Sequence, residues 1–281
     1  LPAALCKSEL ATAMPVAGGT YVYMDRTLGP WVSTIGGLGL WAALLLKSAF
    51  ALVGFGAYLR VMTDLPVSWV GLALLLVIVA LNVLGIGKVA RVQMAVVVVS
   101  LAGLLGLVAL GLPRVDLRRL AAPFEDGAGG FFVTVSLVYM SYAGVTKVAA
   151  IAEEVRDPGR TLPRGMLISL ASVTLLYGLV TAALIATVPR ETLAGDVRPL
   201  HSMGLLVGGP TVGLAVAALG VLTLTSMANT GLLAASRFPF AMSRDRLLPS
   251  FLGYVNERFK TPVVSILATG ALMAFAIVAL D

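Results

Sequence analysis

The sequence predicts an all-α polytopic membrane protein. Of its 281 residues, 59% are hydrophobic and only 12% are charged, and the mean hydropathy is +0.98. A soluble domain has about a quarter of its residues charged. Seven continuous apolar blocks, each long enough to cross a bilayer as a helix, predict seven spans: residues 31–59, 67–84, 89–112, 131–150, 166–188, 210–235 and 263–280. Because the blocks are continuously apolar rather than alternating, we expect helices and not a β-barrel.

Few chemically reactive residues accompany these blocks. The charged residues inside them are Lys47, Arg91 and Lys147, and Arg91 lies at a block edge. One cysteine, Cys6, excludes a disulfide framework within the chain, and with a single histidine, His201, it argues against a Cys/His metal site or catalytic pair. We therefore expect no metal, no cofactor and no catalytic residue.

The chain before the first block predicts the tail of another helix and a turn. Residues 1–14 are apolar enough to end a preceding helix, and Gly18 and Gly19 mark a turn after it. Tyr21 and Tyr23 suit a membrane interface, where one end of the ring is apolar and the other is wet. Since the chain starts without a methionine, inside an apolar segment, we expect it to be part of a longer protein.

The segments between blocks predict which side each one faces. Seven spans place alternate segments on opposite sides of the membrane. One side holds twelve Lys and Arg residues, in segments 1–30, 85–91, 151–165 and 236–262. The other side holds six, in segments 60–66, 113–130 and 189–209. Basic residues concentrate in cytoplasmic loops, so the first set, including 151–165 and 236–262, is predicted to be cytoplasmic. Residues 189–209 contain a stretch too short to span, which we interpret as an interfacial helix acting as a lid.

The stretch YMSYAGVTK, residues 139–147, breaks the pattern of the block 131–150. In hydrocarbon a broken helix survives only where it lines a cavity or is buried in protein, and transporters place such breaks near the midplane. The freed N–H groups after the break would suit a carboxylate. The alternative is that Ala143 and Gly144 are small residues at a helix crossing.

The charge at Lys47 requires a partner. It lies about 18 Å from the outer end of its predicted helix, too deep for its ammonium to reach the interface. A lysine at that depth costs at least about 3 kcal/mol if it faces lipid, so it should face protein. Its partner is expected to be a helix-end carbonyl, a segment outside this chain, or the substrate. Lys147 is expected to pair with Glu154, seven residues later.

Four separated motifs resemble the amino acid–polyamine–organocation (APC) superfamily. They are SELATAMPVAGGTYVYMDRTLGP at 8–30, GIGKVARVQ at 85–93, IAEEVRDPGRTLPRG at 151–165 and ANTGLLAASRFPFAMSRDRLLPSFL at 228–252. The resemblance implies a fold of two inverted five-helix repeats, of which this chain holds the third to ninth helices. The first helix and the tenth would lie outside it. The block 131–150 then matches the broken sixth helix.

The resemblance also implies site residues. Ser141, Tyr142, Ala143 and Gly144 match the break of the sixth helix and are implied to bind substrate, with Tyr142 as a gate or wall. Many family members carry an acid two positions after this glycine, where this chain has Thr146 followed by Lys147. That departure argues against arginine or polyamines as substrates.

A coupling site is implied on the fifth and eighth helices. Sodium-coupled relatives bind the cation with hydroxyls of the eighth helix, where this chain has Thr225, Ser226 and Asn229. The alternative is that these side chains bond back to their own helix. Some sodium-independent members carry a lysine in the fifth helix, near the position of Ser100 here. We interpret Lys47 as the internal cation that stands in for the coupling sodium. Lys147, the other lysine in a span, is also a candidate for the coupling site. An equal alternative is that Lys47 is static and is bound to helix-end carbonyls.

The predicted function is secondary active transport of amino acids across a prokaryotic cytoplasmic membrane, by alternating access around a midplane site. The expected partners are an amino acid, a coupling proton in preference to sodium, and the lipid bilayer, with no nucleic acid. Alternatives are a sodium-coupled symporter, an amino acid exchanger, and a non-transporting receptor or scaffold of the same fold. A membrane-embedded enzyme would need acid/base or metal residues converging in the spans, and none is visible.

Overall fold

The computed structural model describes residues 2–14, 19–85, 89–120, 127–142, 144 and 155–279, and within these ranges it is helical without strands. The α-helices are α1 Pro2–Ala13, α2 Thr20–Leu28, α3 Pro30–Leu59, α4 Val67–Leu84, α5 Val89–Gly111, α6 Gly127–Ser141, α7 Pro158–Thr187, α8 Arg190–Leu193, α9 Pro199–Arg244 and α10 Val263–Ala279. Five of the described helices are long and apolar enough to cross a membrane, and α10 and the last part of α6 are shorter apolar helices. The prediction of an all-α polytopic membrane protein is confirmed.

Helices α3 and α9 form the centre of the bundle. Leu45, Ala49 and Leu52 of α3 pack against Ala228 and Leu232 of α9, and α4 and α10 complete this cluster with Leu75, Ile78, Ile266, Met273 and Ile277. Small side chains allow the close approach that helix packing in a membrane needs. Gly56, for example, lies directly against the backbone of Val67 at the start of α4.

Helix α2 packs against α3 and the end of α9. Tyr21 is fully buried in a cluster with Leu44 of α3 and Phe238 and Met242 of α9. Tyr23 is 2% exposed and packs against Ala11 and Leu162. The expectation that one end of each ring is wet was therefore wrong, because Tyr21 is enclosed by α3 and the end of α9, and Tyr23 is enclosed by α1 and α7.

The predicted interfacial helix and the following span are two helical segments within α9, and they are joined at a kink. Gly209 has φ 72° and ψ −164°, a conformation that only glycine adopts without strain. The part before the kink turns back so that Gly204 approaches the backbone of Gly213. Met203 in this part is fully buried beside Leu107 of α5 and Val216 of α9.

Part of the predicted loop 151–165 is helical. Helix α7 begins at Pro158, which occupies the first helical turn, and continues through Pro163. A proline at the first position loses no hydrogen bond, because the N–H groups of the first turn have no partner inside the helix. The two prolines therefore lie in the first turns of α7, and not in the predicted loop.

Two connecting segments are hydrogen-bonded to the ends of neighbouring helices. At one end, Thr261 Oγ1 donates a hydrogen bond to the carbonyl of Val83 at 2.8 Å. At the other end, the amide of Asp116 donates to the carbonyl of Ala186 at 2.9 Å, and Arg119 binds the carbonyl of Thr187 at 3.0 Å. The orientation of these two ends relative to the cytoplasm stays a prediction.

Candidate functional site

Helix α6 ends at Ser141, the first residue of the predicted break. The hydroxyl of Ser141 donates to the carbonyl of Val138 at 2.7 Å, within the last turn. Tyr142 and Gly144 are described and have 3₁₀ geometry. Ala143 and Lys147 lie outside the described residues, as do Thr146 and the predicted partner Glu154.

The ammonium group of Lys47 binds the end of α6. Its Nζ atom lies 3.2 Å from the carbonyl oxygen of Met140 and 3.3 Å from that of Ser141. The last four carbonyls of an α-helix have no partner inside the helix, and they carry its partial negative charge. A helix-end carbonyl, one of the three partners expected for Lys47, is thus in contact with it in the part of the chain that the structure describes.

The position of Lys47 is set by the packing of α3. Leu44, Leu45, Ser48 and Ala49 are buried on either side of it in the sequence, whereas Lys47 itself is half-buried. Ser48 donates to the carbonyl of Leu44 and so satisfies its own hydroxyl within the helix. The buried face of α3 thereby fixes the direction in which the lysine extends toward α6.

A cavity of about 880 Å³ lies beside the end of α6. Its walls come from α1, α3, α6 and α7, and most of the lining side chains are apolar. The polar or charged lining residues are Lys7, Tyr139, Tyr142 and Thr174. Tyr142 also packs edge to face on Tyr177 of α7, with ring centroids 5.4 Å apart. The described end of α6 therefore has an aromatic wall and an apolar space next to it.

The side chains expected to form a coupling site on the eighth helix all have hydrogen-bond partners. Thr225 donates back to the carbonyl of Val221 at 2.7 Å, as its alternative interpretation predicted. Ser226 accepts a hydrogen bond from the amide of Gln93 on α5. The carbonyl oxygen of the Asn229 side chain accepts a 2.8 Å hydrogen bond from Asn82 on α4.

Ser100 is part of the same contact between α5 and α9. Its hydroxyl lies 2.8 Å from that of Thr223, and either oxygen can be the donor. Gln93 Nε2 also lies 3.3 Å from Thr230 Oγ1. Sequence reasoning missed Asn82, Gln93, Thr223 and Thr230. Amides inside apolar blocks were the available signal for the first two, because a buried amide in a membrane requires a partner.

The two sets of predicted residues are separate in the structure. Among the described residues, the hydrogen bonds of Lys47 join α3 to α6, whereas those of Ser100, Ser226 and Asn229 join α9 to α4 and α5. The described ranges contain no cluster of three or more His, Cys, Asp or Glu side chains that could hold a metal ion.

Comparison with known proteins gives one family over the whole chain. A family model described as amino acid permease matches residues 1–280. An uncharacterized transporter of Mycobacterium tuberculosis is 32% identical over 279 residues, which cover 96% of this chain and 61% of the relative. A branched-chain amino acid permease and a methylthioribose transporter, both of Bacillus subtilis, are 29% and 26% identical, and each match covers 97% of this chain and 63% of the relative. The chain thus spans less than two thirds of the length of these relatives.

Proposed function

The chain belongs to the amino acid permease family, and on this premise we propose that the complete protein is a secondary active transporter of amino acids in a prokaryotic cytoplasmic membrane. The observation that carries the proposal is the end of α6 at Ser141, with its last carbonyls binding an ammonium group beside a largely apolar cavity. The named relatives are transporters, so we propose transport and not catalysis. Their bacterial sources support the proposed membrane.

The proposed substrate site is the backbone of Ser141, Tyr142, Ala143 and Gly144, with Tyr142 as its wall. The N–H groups after a helix break bind a carboxylate, and the carbonyls before it bind an ammonium group. The apolar lining of the adjacent cavity supports an apolar side chain on the substrate. The name of the branched-chain amino acid permease agrees with that preference.

The proposed coupling ion is a proton, with Lys47 as the internal cation. A sodium ion would need free oxygen lone pairs at Thr225, Ser226, Asn229 and Ser100. The amide hydrogen bonds to Ser226 and Asn229 already use part of that capacity, which supports sodium-independent transport. Sodium symport and amino acid exchange are the competing modes. We also propose that the segments 151–165 and 236–262 face the cytoplasm, from their basic residues.

Uptake into liposomes tests this function. The complete protein would be reconstituted and supplied with labelled leucine under an imposed proton or sodium gradient, with leucine methyl ester as competitor. We expect accumulation driven by the proton gradient, weak competition by the ester and loss of accumulation in Lys47→Met. No uptake of leucine or of any other amino acid would refute the proposed function. Equal competition by ester and free acid would refute the carboxylate contact alone, and sodium-driven uptake would refute proton coupling alone.

A further inference from the structure

The cavity between α1, α3, α6 and α7 is large enough for a ligand well above the size of an amino acid. Its volume is about 880 Å³, and Lys7 of α1 is the charged side chain among its described lining residues. We propose that this cavity binds an anionic phospholipid of the bilayer, with the lipid phosphate at Lys7 and an acyl chain along α6 and α7. This inference goes beyond the proposed transport function and does not depend on it.

Lys7 needs a negatively charged partner. It lies within α1 and is half-buried beside a mostly apolar cavity. The described residues give it neither an ion pair nor a hydrogen bond. Glu9, the acidic residue nearest to it in sequence, is exposed and lies two positions later, on the other side of α1. Since an unpaired ammonium group is costly in a membrane, an anionic ligand would stabilise it.

The charge and the apolar walls of the cavity lie at different depths. The end of α1 and the start of α7 are level, because a Cβ atom at Gly159 would lie 3.8 Å from Thr12. Lys7 is six positions before the last residue of α1, about 9 Å along the axis. Leu175, the last lining residue along α7, is seventeen positions after the first residue of that helix, about 26 Å along its axis. The difference, about 17 Å, is close to half of the hydrocarbon core of roughly 30 Å.

This order of charged and apolar groups matches that of a phospholipid in one leaflet. The phosphate of a lipid lies at the membrane surface, and its acyl chains extend toward the midplane. The flexible stem of Lys7 allows its ammonium group to approach the surface. Leu167, Leu170 and Leu175 line the deeper part of the cavity. The end of α1 lies on the predicted cytoplasmic side, where basic pockets between membrane helices bind anionic lipid headgroups.

The walls of the cavity continue onto an exposed surface. Within the described chain, Tyr139 of α6 is 70% exposed and Tyr177, near Leu175 on α7, is 42% exposed. Both rings combine an apolar body with a polar tip, which suits contact with lipid. Leu175 itself is 76% exposed. An acyl chain can therefore enter the cavity sideways from the bilayer, without passing through the packed contact between α3 and α9.

The test measures lipid binding to the purified complete protein in detergent. Dioleoylphosphatidylglycerol and dioleoylphosphatidylcholine have the same acyl chains, but only the first has a net negative charge. Native mass spectrometry counts the molecules of each lipid that stay bound. We expect the unaltered protein to retain phosphatidylglycerol in preference to phosphatidylcholine. One basic side chain near the membrane surface favours an anionic lipid about fivefold, so Lys7→Met should weaken phosphatidylglycerol binding by that factor and leave phosphatidylcholine binding unchanged.

Three further variants separate the charge from the shape of the site. Lys7→Arg keeps the positive charge and should bind phosphatidylglycerol much as the unaltered protein does. Arg26→Met removes an exposed positive charge from α2, outside the cavity lining, and should leave the retention of both lipids unchanged. Ala171→Phe adds a ring to the wall along which the acyl chain would lie, and should weaken binding of both lipids while Lys7 is intact.

Equal retention of the two lipids by the unaltered protein would overturn the inference, and so would unchanged phosphatidylglycerol binding in Lys7→Met. A loss in Lys7→Met without a loss in Ala171→Phe would mean that the acyl chains lie outside the cavity, which also overturns it. If Lys7→Met does not fold, Lys7→Gln takes its place with the same expectation, because its amide is neutral. Lipid binding is measured here without transport, so the uptake experiment decides the proposed function separately.

Discussion

The hydroxyl of Tyr21 donates a 2.8 Å hydrogen bond to the carboxylate of Asp245, which is 224 residues away in the sequence. Tyr21 is fully buried, and its ring lies against Gly37 of α3 and near Met242 of α9. Asp245 directly follows α9 and is exposed. This one contact therefore connects the short helix α2 to the end of the longest helix in the described structure.

Replacing Tyr21 should weaken that connection. Tyr21→Phe keeps the ring and removes the hydrogen bond, and we expect a loss of about 1 kcal/mol in unfolding free energy, since the exposed carboxylate can be solvated again. The measurement is thermal unfolding of the complete protein in detergent. Asp245→Asn retains a side-chain oxygen that accepts the hydrogen bond and should lower stability less. A melting temperature unchanged in Tyr21→Phe would contradict the assigned contact.

Replacement of Tyr23, two residues later on the same helix, should have the opposite effect on stability. Its hydroxyl is buried, and the described residues supply it with no hydrogen-bond partner. An unsatisfied buried polar group costs about 1–3 kcal/mol, so Tyr23→Phe should be neutral or should raise the unfolding free energy. The same thermal measurement applies, with Tyr21→Phe as the matched comparison. A clear destabilisation by Tyr23→Phe would mean that its hydroxyl has a partner in the folded protein.

Both tyrosines should make the protein sensitive to alkali. Burial raises the pKa of Tyr23 from 10.0 to about 12. Burial, followed by the hydrogen bond to Asp245, raises the pKa of Tyr21 still further. The fold favours the neutral phenols. Their contribution to the free energy of unfolding is therefore complete below about pH 10, and it is lost as the pH rises through the folded-state pKa values.

Unfolding measured between pH 9 and 12 tests this dependence. The loss of stability above pH 10 should be smaller in the double variant Tyr21→Phe, Tyr23→Phe than in the unaltered protein. Identical slopes in the two proteins would show that other groups cause the alkaline loss.

The contact between α3 and α4 depends on Gly56. A Cβ atom at this position would lie 3.0 Å from the carbonyl oxygen and 3.1 Å from the Cα atom of Val67, and backbone atoms cannot move aside as a side chain can. Gly56→Ala should therefore destabilise the protein by about 1–3 kcal/mol through overpacking. Gly39→Ala, on the same helix with nothing within 4 Å, is the matched control and should be neutral or slightly stabilising. Equal melting temperatures for the two variants would contradict this packing.

The orientation in the membrane can be tested with single cysteines. In the complete protein with Cys6 and any cysteine outside this chain replaced by serine, cysteine replaces either Arg160, near the start of α7, or Arg198, just before α9. The basic-residue bias predicts that an impermeant thiol reagent applied to intact cells labels position 198 and not position 160. Labelling of position 160 alone would reverse the predicted orientation.

The candidate site could be predicted from the sequence only in part. The depth of Lys47 in an apolar block was enough to predict that it needs a partner inside the protein, because an unpaired charge is costly there. It could not select among a carbonyl, another segment and the substrate. The observed carbonyls are 93 and 94 residues away, and only the packing of α3 and α6 brings them within reach. The amide contacts of Asn82 and Gln93 were missed for the same reason.

The sequence by itself determined the class of protein and the approximate position of its helices. Continuous apolar blocks must become helices in a membrane, since the backbone has no other way to satisfy its hydrogen bonds there. Tertiary structure alone decided that Tyr21 and Tyr23 are buried, that α7 begins at Pro158 and that α9 kinks at Gly209. Those features depend on which distant surfaces come together, whereas helix formation depends on interactions between residues three or four positions apart.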